Sequence, residues 1–356
     1  MRIGLIGLAR SGKTTIFNAL TRSAIPVGSY TDAAADPNQA VIDVPDPRVD
    51  ELVKRYDPRK TVYALLDLMD FPGLSDPADD HIAIAANTLR LMKNLDAVAL
   101  VLRNYEDDLL GPPGVIADLD AVFGEFLLSD LMITENRLER IEWSYKRGQK
   151  TMELQNEEQI LRKIHDRLDN NLPLSTLEMT EIERKIVRGF QFLTGKPMLI
   201  ILNSDEARFN RDQNLSNELS RRYPLVEFAG KFEMELSQID DPDEVGLFME
   251  DIGISESARD RLARSAYEIL GYISFFTVGS DEVRAWNIFK GSTAVTAAGT
   301  IHTDLARGFI RAECFRYDDL IQFGDEAAVR KHGKFRLEGK EYIVQDGDIL
   351  NIRFNV

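Results

Sequence analysis

Three features of the sequence predict an α/β fold with a mostly parallel sheet, an inserted helical arm and a small C-terminal α+β domain. Short apolar runs alternate with helical patterns in the first hundred residues, apolar residues recur at heptad spacing between 125 and 169, and a hairpin signal starts near Tyr272. Short β-type runs separated by helices indicate a parallel sheet covered on both faces. At 356 residues, the chain is also too long for one compact core.

The predicted strands of the parallel sheet are Arg2–Ile6, Val62–Met69, Ala97–Leu102 and Met198–Leu202. Residues Gly7 to Thr14 follow the first of them with a complete Gly-x-x-x-x-Gly-Lys-Thr pattern, and an apolar-periodic helix begins at Thr15. In this strand–helix frame, the loop directs backbone N–H groups at phosphate oxygens, Lys13 supplies positive charge and Thr14 offers a hydroxyl to Mg²⁺. The sequence therefore predicts a nucleoside-triphosphate site. Its loop residues are Ala9, Arg10, Ser11, Gly12, Lys13, Thr14 and Thr15, with Lys13 also catalytic.

A second marker, Asp70-Phe71-Pro72-Gly73, comes directly after the predicted strand Val62–Met69. An aspartate at a strand end reaches Mg²⁺ through water, and a glycine shortly after it lets a backbone N–H approach the γ-phosphate. The same four residues also suit a simple turn. Their position after a phosphate loop favours a site in which Asp70, with Thr14, holds the metal and Gly73 contacts nucleotide.

The third marker is Asn203-Ser204-Asp205-Glu206, at the end of the strand Met198–Leu202. GTPases of this class have Asn-Lys-x-Asp here, and the aspartate reads the guanine edge. Glu206 is one methylene longer, and an acceptor that fits guanine poorly loses discrimination. The last base-contacting loop is expected at Ala229-Gly230-Lys231. The predicted base contacts are Asn203, Glu206, Ala229 and Gly230.

The helical arm is predicted over residues 125–169, inserted into a nucleotide-binding domain formed by 1–124 and 170–271. Gly148 interrupts the heptad seam and indicates two helices packed as an antiparallel hairpin. The seam residues are Leu127, Leu131, Thr134, Leu138, Ile141 and Tyr145, then Leu161, Ile164 and Leu168. Thr180-Glu181-Ile182-Glu183 predicts a capping box.

The C-terminal domain is predicted over residues 272–356. Ile273–Val278 and Val283–Ile288 flank a hairpin turn, and Tyr342–Val344 and Ile349–Phe354 flank a turn at Asp346-Gly347. This part of the chain concentrates positive charge in five residues: Arg330, Lys331, Lys334, Arg336 and Lys340. They form either a patch for RNA or a solvated charged face.

The composition of the chain indicates its cellular compartment and excludes some classes of binding partner. Cys314 is the single cysteine, which excludes an intrachain disulfide and favours a reducing compartment. The N-terminal apolar run is too short for a signal peptide, and no apolar segment has the length of a membrane span. We therefore expect a cytoplasmic protein without a membrane partner. The net charge of −16 argues against wholesale coating of nucleic acid, so no DNA partner is expected.

Together, these motifs resemble the YchF / Obg-like ATPases, a branch of the Ras-like translation-factor GTPases. The matching segments are Gly7–Thr14, Asp36–Asn38, Pro45–Arg48, Asp70–Leu74, Asn203–Glu206, Glu282–Trp286, Ala298–Asp304 and Asp346–Val356. The resemblance covers essentially the whole chain and implies a G domain, a coiled-coil arm and a C-terminal β-grasp TGS domain. It also implies ATP use, often with GTP tolerated, and association with ribosomes in translational or stress control.

The sequence departs from the family pattern in the regions that drive hydrolysis. Ala34 stands where the family has a metal-closing threonine, and Thr31, Asp32 or a water molecule are the candidate substitutes. Leu74 occupies the apolar catalytic position of the family and cannot polarise water. Ser75 to His81 replace a glycine-rich switch, and the loop from Glu106 to Gly114 lacks the histidine proposed as catalytic in the family.

The resulting prediction is Mg²⁺-dependent binding and slow hydrolysis of ATP, with GTP also accepted. The arm and the TGS domain are expected to contact the ribosome or its RNA. Two alternatives stay open: a nucleotide sensor that does not hydrolyse its ligand, and a strict GTPase.

Overall fold

The computed structural model describes residues 1–27, 36–74 and 84–355 of the chain. The chain forms two compact units, one of Met1–Val41 with Asp67–Ala258 and one of Ile42–Leu66 with Arg259–Val356. The predicted domain boundaries differ from this division, since they assign 42–66 and 259–271 to the nucleotide-binding domain, and they stay predictions. The departures at Thr31, Asp32, Ala34 and Ser75 to His81 lie outside the described residues.

The described residues form both strands and helices. The strands are β1 Arg2–Ile6, β2 Asn38–Val44, β3 Lys60–Val62, β4 Ala64–Asp70, β5 Ala97–Asn104, β6 Met198–Ser204, β7 Leu225–Phe228, β8 Tyr272–Thr277, β9 Glu282–Phe289, β10 Phe309–Arg316, β11 Arg336–Glu338 and β12 Asp348–Phe354. The helices are α1 Lys13–Thr21, α2 Pro47–Tyr56, α3 Ala86–Met92, α4 Val115–Lys146, α5 Met152–Asp169, α6 Glu181–Val187, α7 Gln213–Arg222, α8 Gly230–Leu236, α9 Pro242–Ile252, α10 Ala258–Leu270, α11 Ala294–Ile301, α12 Thr303–Arg307, α13 Tyr317–Phe323 and α14 Glu326–Lys331.

The sheet of the first unit has the strand order β2-β4-β1-β5-β6-β7. The pairs β1–β4, β1–β5, β5–β6 and β6–β7 are parallel. Every residue of β5 and β6 is buried, as expected for inner strands covered on both faces. The parallel α/β fold is confirmed, and the carboxyl ends of β1, β4 and β6 lie at the same edge of the sheet, where such folds bind ligands.

One predicted strand, Val62–Met69, is wrong in its extent. Val62 ends β3, which pairs in parallel with β9 through Val62 and Arg284, whereas the strand beside β1 begins at Ala64. β3 is mostly exposed, whereas β4 alternates buried residues with less buried ones, and an apolar run in the sequence does not specify which sheet each part of it joins.

The predicted helical hairpin is formed by α4 and α5, and Gly148 adopts a left-handed φ of 80° between them. Thr134 and Ile141 of α4 and Leu161 and Ile164 of α5 are all fully buried. The seam that the heptad pattern predicts is therefore the packed face. Further along the chain, α6 starts with the predicted capping box, in which Thr180 and Glu183 bond reciprocally.

The sheet of the second unit has the order β11-β10-β12-β8-β9-β3. The predicted hairpin is confirmed by β8 and β9, which pair antiparallel from Tyr272–Phe289 to Thr277–Arg284. Ile349–Phe354 lies in β12, but Tyr342–Val344 lies outside the strands and contributes a single bridge between Ile343 and Thr293. In the apolar core of this unit, Ala294, Ala297 and Ala298 of α11 pack with buried residues of strands β8, β9, β10 and β12.

Among the described residues, no helix combines the length and the apolar character that crossing a membrane requires.

Candidate phosphate-binding site

The phosphate loop connects β1, which ends at Ile6, to α1, which begins at Lys13. Gly12 caps the helix with a left-handed φ of 86°. A Cβ at Gly7 would collide with the carbonyl oxygen of Val101 and lie 2.9 Å from Ser11 Oγ. Both glycines of the motif are therefore required by the local geometry. Thr14 and Thr15 are half-buried in the first turn of α1.

The Lys13 side chain is buried and folds back over the loop. Its Nζ donates to the carbonyl oxygens of Leu8 at 2.7 Å and Gly7 at 3.0 Å. Burial lowers the pKa of Lys13 to about 8, although the nearby Asp70 carboxylate acts in the opposite direction. Lys13 is thus a cation held by neutral carbonyls, and a phosphate anion is a stronger partner for it than those carbonyls are.

Asp70 lies at the end of β4, next to the start of α1. Its Oδ2 accepts a hydrogen bond from Thr14 Oγ1 at 2.9 Å and lies 3.3 Å from Asn38 Nδ2. Its Oδ1 is buried and has no hydrogen-bond partner among the residues that the structure describes. Burial raises the pKa of Asp70, while the bonds from Thr14 and Asn38 and the charge of Lys13 oppose that shift.

The donor set around Asp70 fits a hard divalent cation. Mg²⁺ prefers oxygen ligands and is usually held by one or two protein groups together with phosphates and water. The orphaned carboxylate oxygen of Asp70 and the hydroxyl of Thr14 are groups of this kind, and their role as metal ligands stays a prediction. Within the described ranges, no cluster of three or more His, Cys, Asp or Glu side chains offers a self-sufficient metal site. Asn38 is an unpredicted member of this group, although it belongs to the Asp36–Asn38 motif.

Gly73 and Leu74 leave β4 beside the phosphate loop. A Cβ at Gly73 would lie 2.8 Å from Ala9 Cα, and the Leu74 N–H donates to the Gly7 carbonyl at 3.1 Å. The Leu74 side chain is 2% exposed and packs in the apolar core with Ile6. The backbone here follows the loop closely, whereas the Leu74 side chain is a core residue. Its predicted part in hydrolysis stays a prediction.

Asn203 joins the phosphate loop to the expected base-contacting loop. Its Nδ2 donates to the Ser11 carbonyl at 3.0 Å, and its amide group fills the space beside Gly12 and Gly230. A Cβ on either glycine would collide with that amide. The Ala229 N–H donates a hydrogen bond to Glu233 Oε1 at 3.0 Å. The structure therefore brings Ser11, Gly12, Asn203 and Gly230 together.

Glu206 is exposed three residues after the buried Asn203. It lines a cleft of about 370 Å³ whose other lining residues are Phe209, Asn210, Arg211, Asp251 and Ile252. Neither Asn203 nor a residue of the phosphate loop lines this cleft, and the role of Glu206 as a base contact stays a prediction.

The loop after β5 is a part of the site that sequence reasoning missed. Arg10 Nε and Nη2 donate to Asp107 Oδ2 at 2.9 and 2.7 Å, and the Tyr105 hydroxyl donates to the Arg10 carbonyl at 2.8 Å. The bond from Arg10 is the main cause that lowers the pKa of Asp107 to about 2. Since 97 residues separate the two partners, no local pattern in the sequence indicates the pair.

Comparisons with known proteins agree over the whole chain. A model of 50S ribosome-binding GTPases matches residues 2–134, and a model named for the C-terminal region of YchF GTPases, described as of unknown function, matches residues 272–355. The chain is 36% identical to the ribosome-binding ATPase YchF of Pasteurella multocida (strain Pm70), covering 100% of this chain and 99% of that one. It is 35% identical to the ribosome-binding ATPase YchF of Bacillus subtilis (strain 168), covering 99% of both. The solved structure of the Schizosaccharomyces pombe YchF GTPase is 30% identical, with a TM-score of 0.86 over 99% of this chain and 97% of that one.

Proposed function

This chain belongs to the YchF family, and on that premise we propose that it is a Mg²⁺-dependent nucleoside triphosphatase with slow turnover, which prefers ATP and also accepts GTP. The observation that carries the proposal is the orphaned Oδ1 of Asp70 beside the Thr14 hydroxyl. A buried carboxylate oxygen without a donor is costly, and a bound cation relieves that cost. Bound there, Mg²⁺ supplies positive charge to the phosphoryl oxygens.

The residues of the loop bind and orient the triphosphate. Backbone N–H groups from Ala9 to Thr15 and the N-terminus of α1 stabilise negative charge. Lys13 exchanges the carbonyls of Gly7 and Leu8 for β- and γ-phosphate oxygens. The backbone of Gly73 lies against Ala9 of the loop, and in this proposal its N–H donates to the γ-phosphate. Asn203 and Glu206 read the base.

Slow turnover follows from the position of Leu74. In Ras-like enzymes, a polar side chain after the glycine orients the attacking water. Here that position is apolar and buried. The same observation favours the second candidate, a sensor that binds nucleotide without hydrolysing it. Single-turnover measurement separates the two, because a sensor retains intact triphosphate after hours of incubation.

The ribosome is the proposed partner, since the relatives named above are ribosome-binding ATPases. Its contact with this chain is proposed at the hairpin tip, residues 143–150, where α4 and α5 of the helical hairpin are joined. Trp143 is 59% exposed there, and Lys146 Nζ lies 5.4 Å from the centre of its ring. Arg147 and Lys150 are exposed on the same turn. A basic tip with an exposed aromatic ring suits RNA, which offers phosphates and unstacked bases. The same proposal places the protein in the cytoplasm, where ribosomes work.

The predicted basic patch of the C-terminal domain is weaker in the structure than in the sequence. Arg336 turns inward and donates to Tyr342 Oη at 3.0 Å, and Arg330 stacks over Phe335 with its guanidinium carbon 3.6 Å from the ring centre. Lys334 lies 3.9 Å from the carboxylate of Asp319. The C-terminal TGS domain therefore enters the proposal as a second, weaker contact.

Hydrolysis of radiolabelled ATP with and without purified ribosomes tests the proposal. The wild-type protein should release phosphate slowly alone and faster with ribosomes, and Lys13→Ala should do neither. Competition of GTP against ATP settles the base preference. A strict GTPase is the correct alternative if GTP binds and ATP does not, and the proposed activity is refuted if neither nucleotide is hydrolysed under any of these conditions.

A further inference from the structure

Arg10 places a second cation in the phosphate loop, three residues before Lys13. Its φ of 59° lies in the left-handed region, which a long side chain rarely adopts. Its side chain is 41% exposed, in contrast to the buried Lys13. The loop therefore carries one cation that is held inside it and one that extends from its surface.

The backbone and the side chain of Arg10 are held in different ways. The Tyr105 hydroxyl fixes its carbonyl at 2.8 Å. The guanidinium donates twice, but to one oxygen only, Asp107 Oδ2. The Asp107 side chain is 8% exposed, so water reaches the guanidinium of the pair much more readily than the carboxylate. The guanidinium is therefore the half of the pair that can turn toward a competing anion while the Tyr105 hydroxyl holds the loop backbone in place.

The Asp107 side of the pair is rigid. Its second oxygen accepts the backbone N–H groups of Leu109 and Leu110 at 2.9 and 3.1 Å. The backbone of Asp107 exchanges two hydrogen bonds with Gly111, at 3.1 and 2.7 Å. Buried Arg103 secures the same loop by donating to the Gly111 carbonyl at 2.8 Å. Asp107 is thus a fixed acceptor, and Arg10 is the partner that moves.

Arg10 and Lys13 are the two cationic residues between Gly7 and Thr14 in the phosphate loop. Charge develops on the phosphoryl oxygens in the transition state, and many enzymes of this class stabilise it with an arginine supplied by the same chain or by a partner. Leu74 is buried and apolar, so it does not supply this stabilisation. Arg10 lies within the segment whose N–H groups face the phosphates.

We propose that Arg10 is a catalytic arginine supplied in cis, and that Asp107 retains its guanidinium until the triphosphate competes for it. The inference rests on the proposed function. Water attacks the γ-phosphorus, and the bond from that phosphorus to the β–γ bridging oxygen breaks, with its electron pair staying on the nucleoside diphosphate. The protons of the attacking water pass to the inorganic phosphate and to solvent. Arg10 keeps its proton throughout and acts by contacting the phosphate oxygens.

Three variants of the full-length protein test this role in steady-state assays over a range of ATP concentrations: Arg10→Gln, Asp107→Asn and the double variant. Removing a catalytic arginine lowers kcat by about 10³-fold and changes KM much less. Releasing the arginine by Asp107→Asn raises kcat, and the double variant behaves like Arg10→Gln. Arg222→Gln is the matched control, because it breaks an exposed 2.6 Å pair with Asp120 elsewhere in the same unit, and it leaves kcat unchanged.

Opposite signs for the two single variants are the discriminating result. If Arg10 and Asp107 only stiffen the loop, both substitutions change kcat in the same direction and by similar amounts, and the proposal is overturned. Retention of ADP with aluminium fluoride, a mimic of the transition state, provides a second readout. Arg10→Gln should bind ADP as the wild type does and lose the added retention.

The outcome for Arg10 is separable from the outcome for the proposed function. A wild-type protein that hydrolyses ATP together with an equally active Arg10→Gln refutes the role of Arg10 alone. A wild-type protein that hydrolyses nothing refutes the proposed function and the role of Arg10 with it. Arg10→Lys keeps the charge in the loop, so partial activity is expected if Arg10→Gln fails to fold.

Discussion

The hydroxyl of Thr14 donates a hydrogen bond of 2.9 Å to Oδ2 of Asp70, which joins the first turn of α1 to the end of β4. The bond fixes one carboxylate oxygen and leaves the other, Oδ1, buried without a partner in the described part of the chain. Hydroxyl and carboxylate are thereby presented together at the phosphate loop. This pair is the basis of the metal-binding part of the proposal.

Replacing Asp70 by Asn should separate metal binding from nucleotide binding. The change keeps the size of the side chain and removes its charge, so we expect Mg²⁺ to enhance nucleotide affinity about 10–100-fold less than in the wild type. Calorimetric titration of nucleotide at increasing Mg²⁺ measures the effect. Asp67→Asn on the same strand is the control, because the Asp67 carboxylate lies 3.7 Å from Arg2 in a solvent-accessible pair. Equal Mg²⁺ dependence in wild type and Asp70→Asn would refute the role of Asp70.

The stability of the nucleotide-free protein should depend on Asp70 in a pH-dependent way. Burial raises the pKa of Asp70 above 3.8, so the ionised carboxylate destabilises the fold at every pH above its folded pKa. Asp70→Asn should therefore unfold at higher denaturant concentration than wild type at pH 7. That advantage should shrink as the pH falls toward 3.8 and the carboxyl becomes protonated in both states. A variant less stable than wild type at pH 7 contradicts this account.

Binding of a triphosphate should take up protons near pH 8. The pKa of Lys13 is lowered to about 8 by burial, and a phosphate anion beside it raises that pKa again. Lys13 is partly neutral at pH 8 before binding and protonated after it. Calorimetry in buffers of different ionisation enthalpy measures the uptake, which should be largest near pH 8 to 9 and small at pH 6. No change in uptake between pH 6 and pH 9 would show that Lys13 does not meet the phosphates.

A single methyl group at Gly230 should disrupt the site. A Cβ there would collide with the Asn203 amide and lie 2.9 Å from Ile16 Cδ1, so Gly230→Ala displaces the side chain that holds the Ser11 carbonyl. We expect loss of nucleotide binding, measured by fluorescence with a labelled nucleotide. Gly246→Ala is the matched control, because a Cβ there meets no other described residue within 4 Å beyond its own helix turn. As a helix-interior change in α9, it should preserve binding and stabilise the fold by roughly 0.5–1 kcal/mol.

Neutralising the hairpin tip should weaken ribosome binding without affecting the nucleotide site. Lys146→Gln combined with Lys150→Gln removes two exposed charges, so we expect weaker co-sedimentation with ribosomes and a shallower dependence on salt. Hydrolysis of ATP by the protein alone should not change. Arg221→Gln combined with Arg222→Gln removes the same charge from α7 and is the control. If both double variants bind ribosomes equally well, the contact lies elsewhere.

The parts of the site that were predictable from the sequence are those tied to strand ends. Asp70 and Asn203 lie at the carboxyl ends of β4 and β6, and Lys13 follows β1 through the phosphate loop. The carboxyl ends of such parallel strands meet at one edge of the sheet. Their mutual proximity follows from the sheet topology. The seam of the helical hairpin and the capping box at Thr180 were predictable for a different reason, because both depend on residues close together in the sequence.

The unpredicted parts depend on contacts between distant segments. Arg10 and Asp107 lie on two loops that carry no joint pattern. Segment 42–66 reads as part of the N-terminal domain, yet its strand β3 pairs with β9, and its Arg48 donates to Asp346 at 2.7 Å within the second unit. Propensity and period describe a strand and do not specify its partner.

The most direct test of the central claim is calorimetric titration of a non-hydrolysable ATP analogue with Mg²⁺ into the full-length protein and into Lys13→Ala. We expect one nucleotide site per chain in the wild type, weaker binding when Mg²⁺ is chelated, and no measurable binding in Lys13→Ala. Equal binding by the two proteins, or no binding of ATP or GTP analogues by the wild type, would contradict it.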